Sequence, residues 1–181
     1  MNLFGGLIAL VSIYGYSSVK ILLKPMIKGS IKRVFIGFIL ATLISLFGVS
    51  IYYFFNIKIT GNSLTDYPLD KSSLLILILM IIIQITGEEL IMAVFTLPIL
   101  NYFSNKNINI KYSWLLANLT GCLIFMVIHL PAYQYNVFMV IIIGFSRYPF
   151  TMLWFKTKSL RGGIYSHLLF DLIRIVPKIF I

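Results

Sequence analysis

The sequence predicts an all-α protein, a polytopic transmembrane bundle of about six helices. Of its 181 residues, 60% are hydrophobic and only 11% are charged, whereas a soluble domain is nearer half apolar and a quarter charged. The apolar residues form long runs, and a helix needs about 20 of them to cross a bilayer. Lysine and arginine collect between these runs, as they do beside membrane spans. We therefore expect residues 1–181 to form a single membrane domain.

Polar residues divide the chain into six apolar segments, each a predicted span. The segments run from Leu3 to Leu23, from Val34 to Phe55, over residues 73–103, from Ser113 to Leu130, from Asn136 to Phe155, and from Gly162 to the C-terminus. Segment three is the longest, and it could break at Gly87 or Pro98. Pro131 follows segment four and acts as a helix stop.

The loops after segments one and five are strongly basic. They hold Lys24, Lys28, Lys32, Arg33, Lys156, Lys158 and Arg161. Because positively charged loops stay in the cytoplasm, these two loops are predicted to be cytoplasmic. The net charge of +10 reflects such flanks, so the expected partner is membrane lipid and not nucleic acid. The abundance of Ile, Lys and Asn favours a bacterial plasma membrane.

Most of the few ionisable acids and histidines lie inside apolar segments. Three of the five acids do so, Glu88, Glu89 and Asp171, and so do both histidines, His129 and His167. A charged side chain at the bilayer centre costs roughly 2.5 to 3.5 kcal/mol, so such residues predict a functional site facing the protein interior. The structural alternative is a hydrogen-bonded cluster that only holds the helices together.

Helical spacing relates these residues to one another. Glu88 and Glu89 point about 100° apart on a helix, so we expect them to differ in role. Phe125 shares a helix face with His129, four residues later, and His167 shares one with Asp171.

Carboxylates and imidazoles in one site suggest two kinds of chemistry. A carboxylate and an imidazole can share a water, remove its proton and direct it at a carbonyl carbon. A second imidazole with a neighbouring side chain can stabilise the resulting oxyanion. Alternatively, the same side chains could bind a divalent metal such as zinc, with Glu88, His129 and His167 as candidate ligands. No His-Glu-x-x-His motif is present.

Three short motifs resemble those of the CPBP (Abi) family of CAAX-processing and bacteriocin-processing membrane proteases. They are the pair Glu88-Glu89, Phe125-x-x-x-His129 and His167-x-x-x-Asp171, in the order and on separate helices as in the family. The resemblance covers residues 73–175. It implies peptide-bond hydrolysis in or beside the membrane, with a membrane-associated peptide or protein as substrate. Glu88 and His129 would activate water, and His167 and Asp171 would form the oxyanion side; the family has been described both as metalloproteases and as glutamate-type enzymes.

One position departs from the family pattern, Glu-Glu-x-x-x-Arg. The position of the family's arginine is Ala93. Arg147 lies in the middle of segment five and requires an anionic partner inside the membrane. We therefore hypothesise that Arg147 replaces the missing cation and pairs with Glu89. Arg147 and Phe125 are then the supporting residues of the site.

Two other functions remain open at this level. The missing arginine also fits a non-catalytic bacteriocin self-immunity or adaptor protein, and the same side chains could relay protons in a small transporter.

Counting residues along straight helices places His129 and His167 at depths in the membrane that differ by roughly 16 Å. A shared site therefore requires tilted, broken or shifted helices.

Overall fold

The predicted all-α architecture is confirmed by a computed structural model. The model describes residues 3–55 and 71–175, with side chains over 3–55 and 76–173. Within these ranges there are seven α-helices, a short 3₁₀ helix and no strand. The α-helices are α1 (Leu3–Tyr14), α2 (Tyr16–Leu22), α3 (Ser30–Phe54), α4 (Lys71–Asn105), α5 (Ile110–His129), α6 (Val137–Thr157) and α7 (Arg161–Ile175), and the 3₁₀ helix is Pro131–Tyr133.

Four of the described helices are long and apolar enough to cross a membrane. These are α3, α4 over Ile76–Asn105, α5 and α6, and α1 with α2 would make a fifth, bent span. Helix α7 has 15 residues and is shorter. The expectation of about six spans is therefore close to the observed arrangement, and the chain is a multi-pass membrane protein.

The first predicted span is broken in the middle. The chain bends by 117° between its two halves, α1 and α2. The bend occurs at Gly15, whose φ is 79°, a conformation that glycine adopts at little cost. The 12 residues of α1 extend only about 18 Å, less than the hydrocarbon thickness. α1 packs instead along α4, where a Cβ on Gly6 would come within 3.0 Å of the Cβ of Leu90.

Helix α4 continues through both of its expected weak points. It is a single helix of 35 residues that contains Gly87 and Pro98. It packs against α1, α5 and α7, while α6 packs against α3, α5 and α7. The middle of α4 thus lies at the centre of the bundle. The other two of the five acids, Asp66 and Asp70, are outside the described residues.

The turn between α6 and α7 is buried under the segment that follows α2. Thr157, Ser159 and Leu160 are all buried. The amide of Leu160 donates to the carbonyl of Leu22 at 2.9 Å, and the Ser159 hydroxyl donates to the carbonyl of Lys24 at 2.5 Å. Helix α7 therefore begins inside the protein, so distances counted from the membrane surface misjudge the depth of its residues.

Candidate functional site

Glu89 is the centre of a buried hydrogen-bond cluster that joins three helices. Its Oε1 accepts from Arg147 Nη1 at 2.7 Å and from His167 Nδ1 at 3.0 Å. Its Oε2 accepts from the indole Nε1 of Trp154 at 3.0 Å. Glu89 has 0% exposure and Arg147 has 1%. The pairing of Arg147 with Glu89 that the sequence predicts is thus present, with α6 supplying the cation to α4.

The surroundings of Arg147 show why it is held so deeply in the bundle. Its guanidinium carbon lies 4.8 Å from the ring centroid of Phe125 and 5.9 Å from that of Trp154, distances at which a cation is attracted to an aromatic face. Nη1 is satisfied by Glu89, whereas Nε and Nη2 are buried without a hydrogen-bond partner among the described residues. Removing one partner of such a buried ion pair strongly destabilises the folded protein, because the other charge is left buried and uncompensated.

A glycine on α7 creates the space in which Glu89 meets Trp154. A Cβ on Gly163 would lie 2.2 Å from Trp154 Nε1 and 2.7 Å from Glu89 Oε2, far inside van der Waals contact. Sequence reasoning missed both Trp154 and Gly163. Two signals were available. A tryptophan inside a span needs an acceptor for its N–H, and segment six begins with two adjacent glycines.

Glu88 has different surroundings from its neighbour. It is 5% exposed, and its Oε1 accepts a hydrogen bond from Gln84 Nε2 at 3.0 Å. Gln84 lies one turn earlier on the same helix face and is exposed; sequence reasoning did not identify it. Within the described part of the chain Glu88 forms no ion pair.

The hydrogen bonding of His129 fixes which ring nitrogen is free. Its Nδ1 lies 2.9 Å from the backbone carbonyl oxygen of Phe125. Because a carbonyl oxygen only accepts, Nδ1 carries the proton of this bond, and in the neutral ring Nε2 keeps its lone pair. The ring of Phe125 lies against that of His129, with centroids 3.9 Å apart. His129 therefore combines a fixed orientation with a free acceptor nitrogen.

His167 is held by stacking on one face of its ring and by a hydrogen bond at Nδ1. It stacks on Phe150 with centroids 4.6 Å apart, and its Nδ1 donates to Glu89. Its Nε2 is 3.9 Å from Asp171 Oδ2, a separation longer than a hydrogen bond. The ring of Phe125 lies 6.4 Å from that of His167.

The site therefore brings the predicted residues together. Phe125 contacts the rings of both histidines, so the expected depth difference of roughly 16 Å is too large. Helix α7 begins inside the protein, so His167 lies closer to the middle of the bundle than its position in segment six predicts. Glu89 binds His167 directly, and Glu88 precedes Glu89 on α4, the helix that packs against α5 and α7.

The donor set does not form a metal site in this arrangement. Among the residues that the structure describes, no group of three or more His, Cys, Asp or Glu side chains could hold a metal ion. The Nδ1 atoms of His129 and His167 donate to a backbone carbonyl and to Glu89, so only Nε2 of each ring is available to a ligand. Because Glu88, His129 and His167 do not come together as three ligands of one ion, no step below depends on a metal.

Comparison with known protein families places the C-terminal part of the chain in a family of proteases. Residues 70–173 match the family model described as type II CAAX prenyl endopeptidase Rce1-like. No curated protein matches the chain, and no solved structure matches it. The matched range contains α4 to α7 almost entirely and therefore every residue of the site.

Proposed function

Because this chain belongs to the Rce1-like family of type II CAAX prenyl endopeptidases, we propose that it is an intramembrane endopeptidase. It hydrolyses a peptide bond in a membrane-associated peptide or protein. The resemblance of its three motifs to the CPBP proteases agrees with this membership. A bacterial plasma membrane as its location remains part of the proposal.

The observation that carries the mechanism is the contrast between the two glutamates. Glu89 binds three donors, from Arg147, Trp154 and His167. Glu88 accepts one hydrogen bond, from Gln84, and its carboxylate can accept others. We assign Glu89 to holding the site together and Glu88 to the reaction.

Glu88 and His129 activate the water in this proposal. The Glu88 carboxylate and Nε2 of His129 are both acceptors, so one water can donate a hydrogen bond to each of them. As the water oxygen forms a bond to the peptide carbonyl carbon, its proton passes to this pair. The C–N bond then breaks, and the departing amine takes up the proton. Gln84, bound to Glu88, positions the carboxylate.

His167 and Asp171 serve the oxyanion side. The Glu89 carboxylate fixes Nδ1 of His167 as a donor, and the ring of Phe150 fixes the plane of the imidazole. Nε2 then points away from Glu89, towards the side where Asp171 lies 3.9 Å away. A proton on Nε2 makes it a donor to the oxyanion that forms on the carbonyl oxygen. Preorganised donors of this kind contribute strongly in a site from which water is excluded.

The test is cleavage by purified protein in proteoliposomes. We expect Glu88→Gln and His129→Ala each to reduce cleavage of an internally quenched CAAX-type peptide by about 10²- to 10⁴-fold, the usual contribution of acid–base catalysis. Both variants should be produced at wild-type levels, since neither residue forms the Glu89 cluster. The exposed, distant Lys111→Gln variant is the matched control and should cleave normally.

The non-catalytic alternative makes the opposite prediction. An immunity or adaptor protein would need binding surfaces and not an activated water. If Glu88→Gln and His129→Ala both retain wild-type cleavage, or protect cells from a bacteriocin as well as the wild type does without any cleavage, the proposed hydrolysis is wrong.

A further inference from the structure

Eight of the 15 lysines and arginines form one basic face of the bundle. The segment after α2 and the turn after α6 bring them together, because Ile27 N donates to the carbonyl of Thr157 at 3.2 Å and Arg161 Nε donates to the carbonyl of Leu23 at 2.7 Å. The ion pairs of the described residues are made by Arg147 and His167, and none uses a cation of this face. The basic face consists of Lys20, Lys24, Lys28, Lys32, Arg33, Lys156, Lys158 and Arg161.

An apolar groove leads away from this face between α3 and α6. Its volume is about 320 Å³. Two cations stand at one end, Arg33 and Lys156, and the Arg33 guanidinium donates to the Lys156 carbonyl, which keeps these two residues adjacent. The groove, called the α3–α6 groove below, is lined by Arg33, Ile36, Gly37, Leu40 and Ile44 of α3 and by Tyr148, Pro149, Met152, Leu153 and Lys156 of α6.

The length of the α3–α6 groove matches one leaflet of a bilayer. Its residues on α3 span positions 33 to 44, about 16 Å along the helix axis, and half of a hydrocarbon core is about 15 Å. The cations therefore lie at headgroup level when the apolar residues lie at acyl-chain level. At Gly37 the two helices come so close that a Cβ would lie 2.5 Å from Cδ1 of Leu153, which forms the floor of the groove.

We propose that the α3–α6 groove binds an anionic phospholipid. The phosphate lies between Arg33 and Lys156, and one acyl chain lies against Ile36 and Leu40. Both cations are exposed and form no ion pair with a carboxylate of the described residues, so they complement a negative headgroup on the cytoplasmic leaflet. An extended peptide fits poorly, because the apolar lining offers few partners for its backbone N–H and C=O groups, which must be satisfied inside a membrane.

The experiment is native mass spectrometry of the intact protein in an equal mixture of phosphatidylglycerol and phosphatidylcholine. We expect wild type to retain phosphatidylglycerol preferentially. The Arg33→Gln/Lys156→Gln variant keeps side-chain hydrogen bonding but removes both charges. At about 1 kcal/mol for each surface cation, its preference should fall by about thirtyfold.

Two further variants separate this site from general charge effects. Lys106→Gln/Lys111→Gln removes the same charge from two exposed residues, one in the α4–α5 connection and one in the first turn of α5, and should retain the lipid. Leu40→Trp leaves all charges in place but fills the groove, so it should lose the lipid. Equal loss in both charge variants, equal binding of the two lipids, or thermal stabilisation by inorganic phosphate as large as that by phosphatidylglycerol would each overturn the proposal. These readouts do not involve cleavage and are independent of the proposed activity.

Discussion

Glu88 and Glu89 are adjacent carboxylates with different surroundings, and that difference is the basis of the site. Glu89 is surrounded by a guanidinium, an indole and an imidazole, whereas Glu88 has one amide donor. Their separation by about 100° around α4 was predictable from adjacency alone. The partners of each were only partly predictable, because a contact between distant segments depends on how α6 and α7 pack.

The hypothesis that Arg147 replaces the motif arginine predicts the effect of substituting Arg147. Arg147→Ala leaves the buried Glu89 charge without its main partner, so it should lower stability by about 3–5 kcal/mol and reduce protein level and cleavage. Arg147→Lys should fall between this variant and wild type, because a lysine ammonium is a point charge without the planar fork of a guanidinium. Thermal melting in detergent measures the effect.

Returning the cation to α4 is the decisive control. Position 93 lies one turn after Glu89, within reach of its carboxylate, and Ala93 is completely buried. In the Arg147→Ala background, Ala93→Arg should therefore recover at least part of the lost melting temperature. Wild-type behaviour of both Arg147→Ala and Arg147→Lys would rule out the replacement.

At the level of helices, periodicity and hydropathy predicted five of the six apolar segments as helices close to their observed places. They failed for the first segment, because a single positive φ at Gly15 breaks an apolar run whose composition is that of a span. They also misjudged the depth of His167. That depth is set by the burial of Ser159 and Leu160 under the segment after α2, a long-range contact that no local pattern contains.

Gly163 provides a prediction about how closely the helices pack. Gly163→Ala would place a methyl group 2.2 Å from Trp154 Nε1 and 2.7 Å from Glu89 Oε2, so α7 must move or the indole hydrogen bond must break. We expect a loss of about 1–3 kcal/mol, as for other overpacked sites, together with reduced cleavage. Gly5→Ala, at an exposed position of α1, is the control and should be neutral or slightly stabilising. Unchanged melting of Gly163→Ala would contradict the observed packing.

At the scale of the whole bundle, four or five candidate spans among the described residues surround a polar centre in which most of the buried ionisable groups meet. A charge is costly inside a membrane, and here Arg147, Glu89 and His167 offset one another in a single cluster. The sequence predicted this concentration of ionisable residues and the family, because both depend on residue identity and order. It did not predict the buried α6–α7 turn or the α3–α6 groove, which exist only once the helices have assembled.

In the proposed mechanism Glu88 and His129 act on one shared water, and a double-mutant cycle tests this step. Cleavage rates are compared for wild type, Glu88→Gln, His129→Ala and the double variant in the same proteoliposomes. The effects of substituting residues that act as a unit are strongly non-additive, so we expect the double variant to be no slower than the slower single variant. If the two losses multiply instead, the residues act independently and the shared-water mechanism is contradicted.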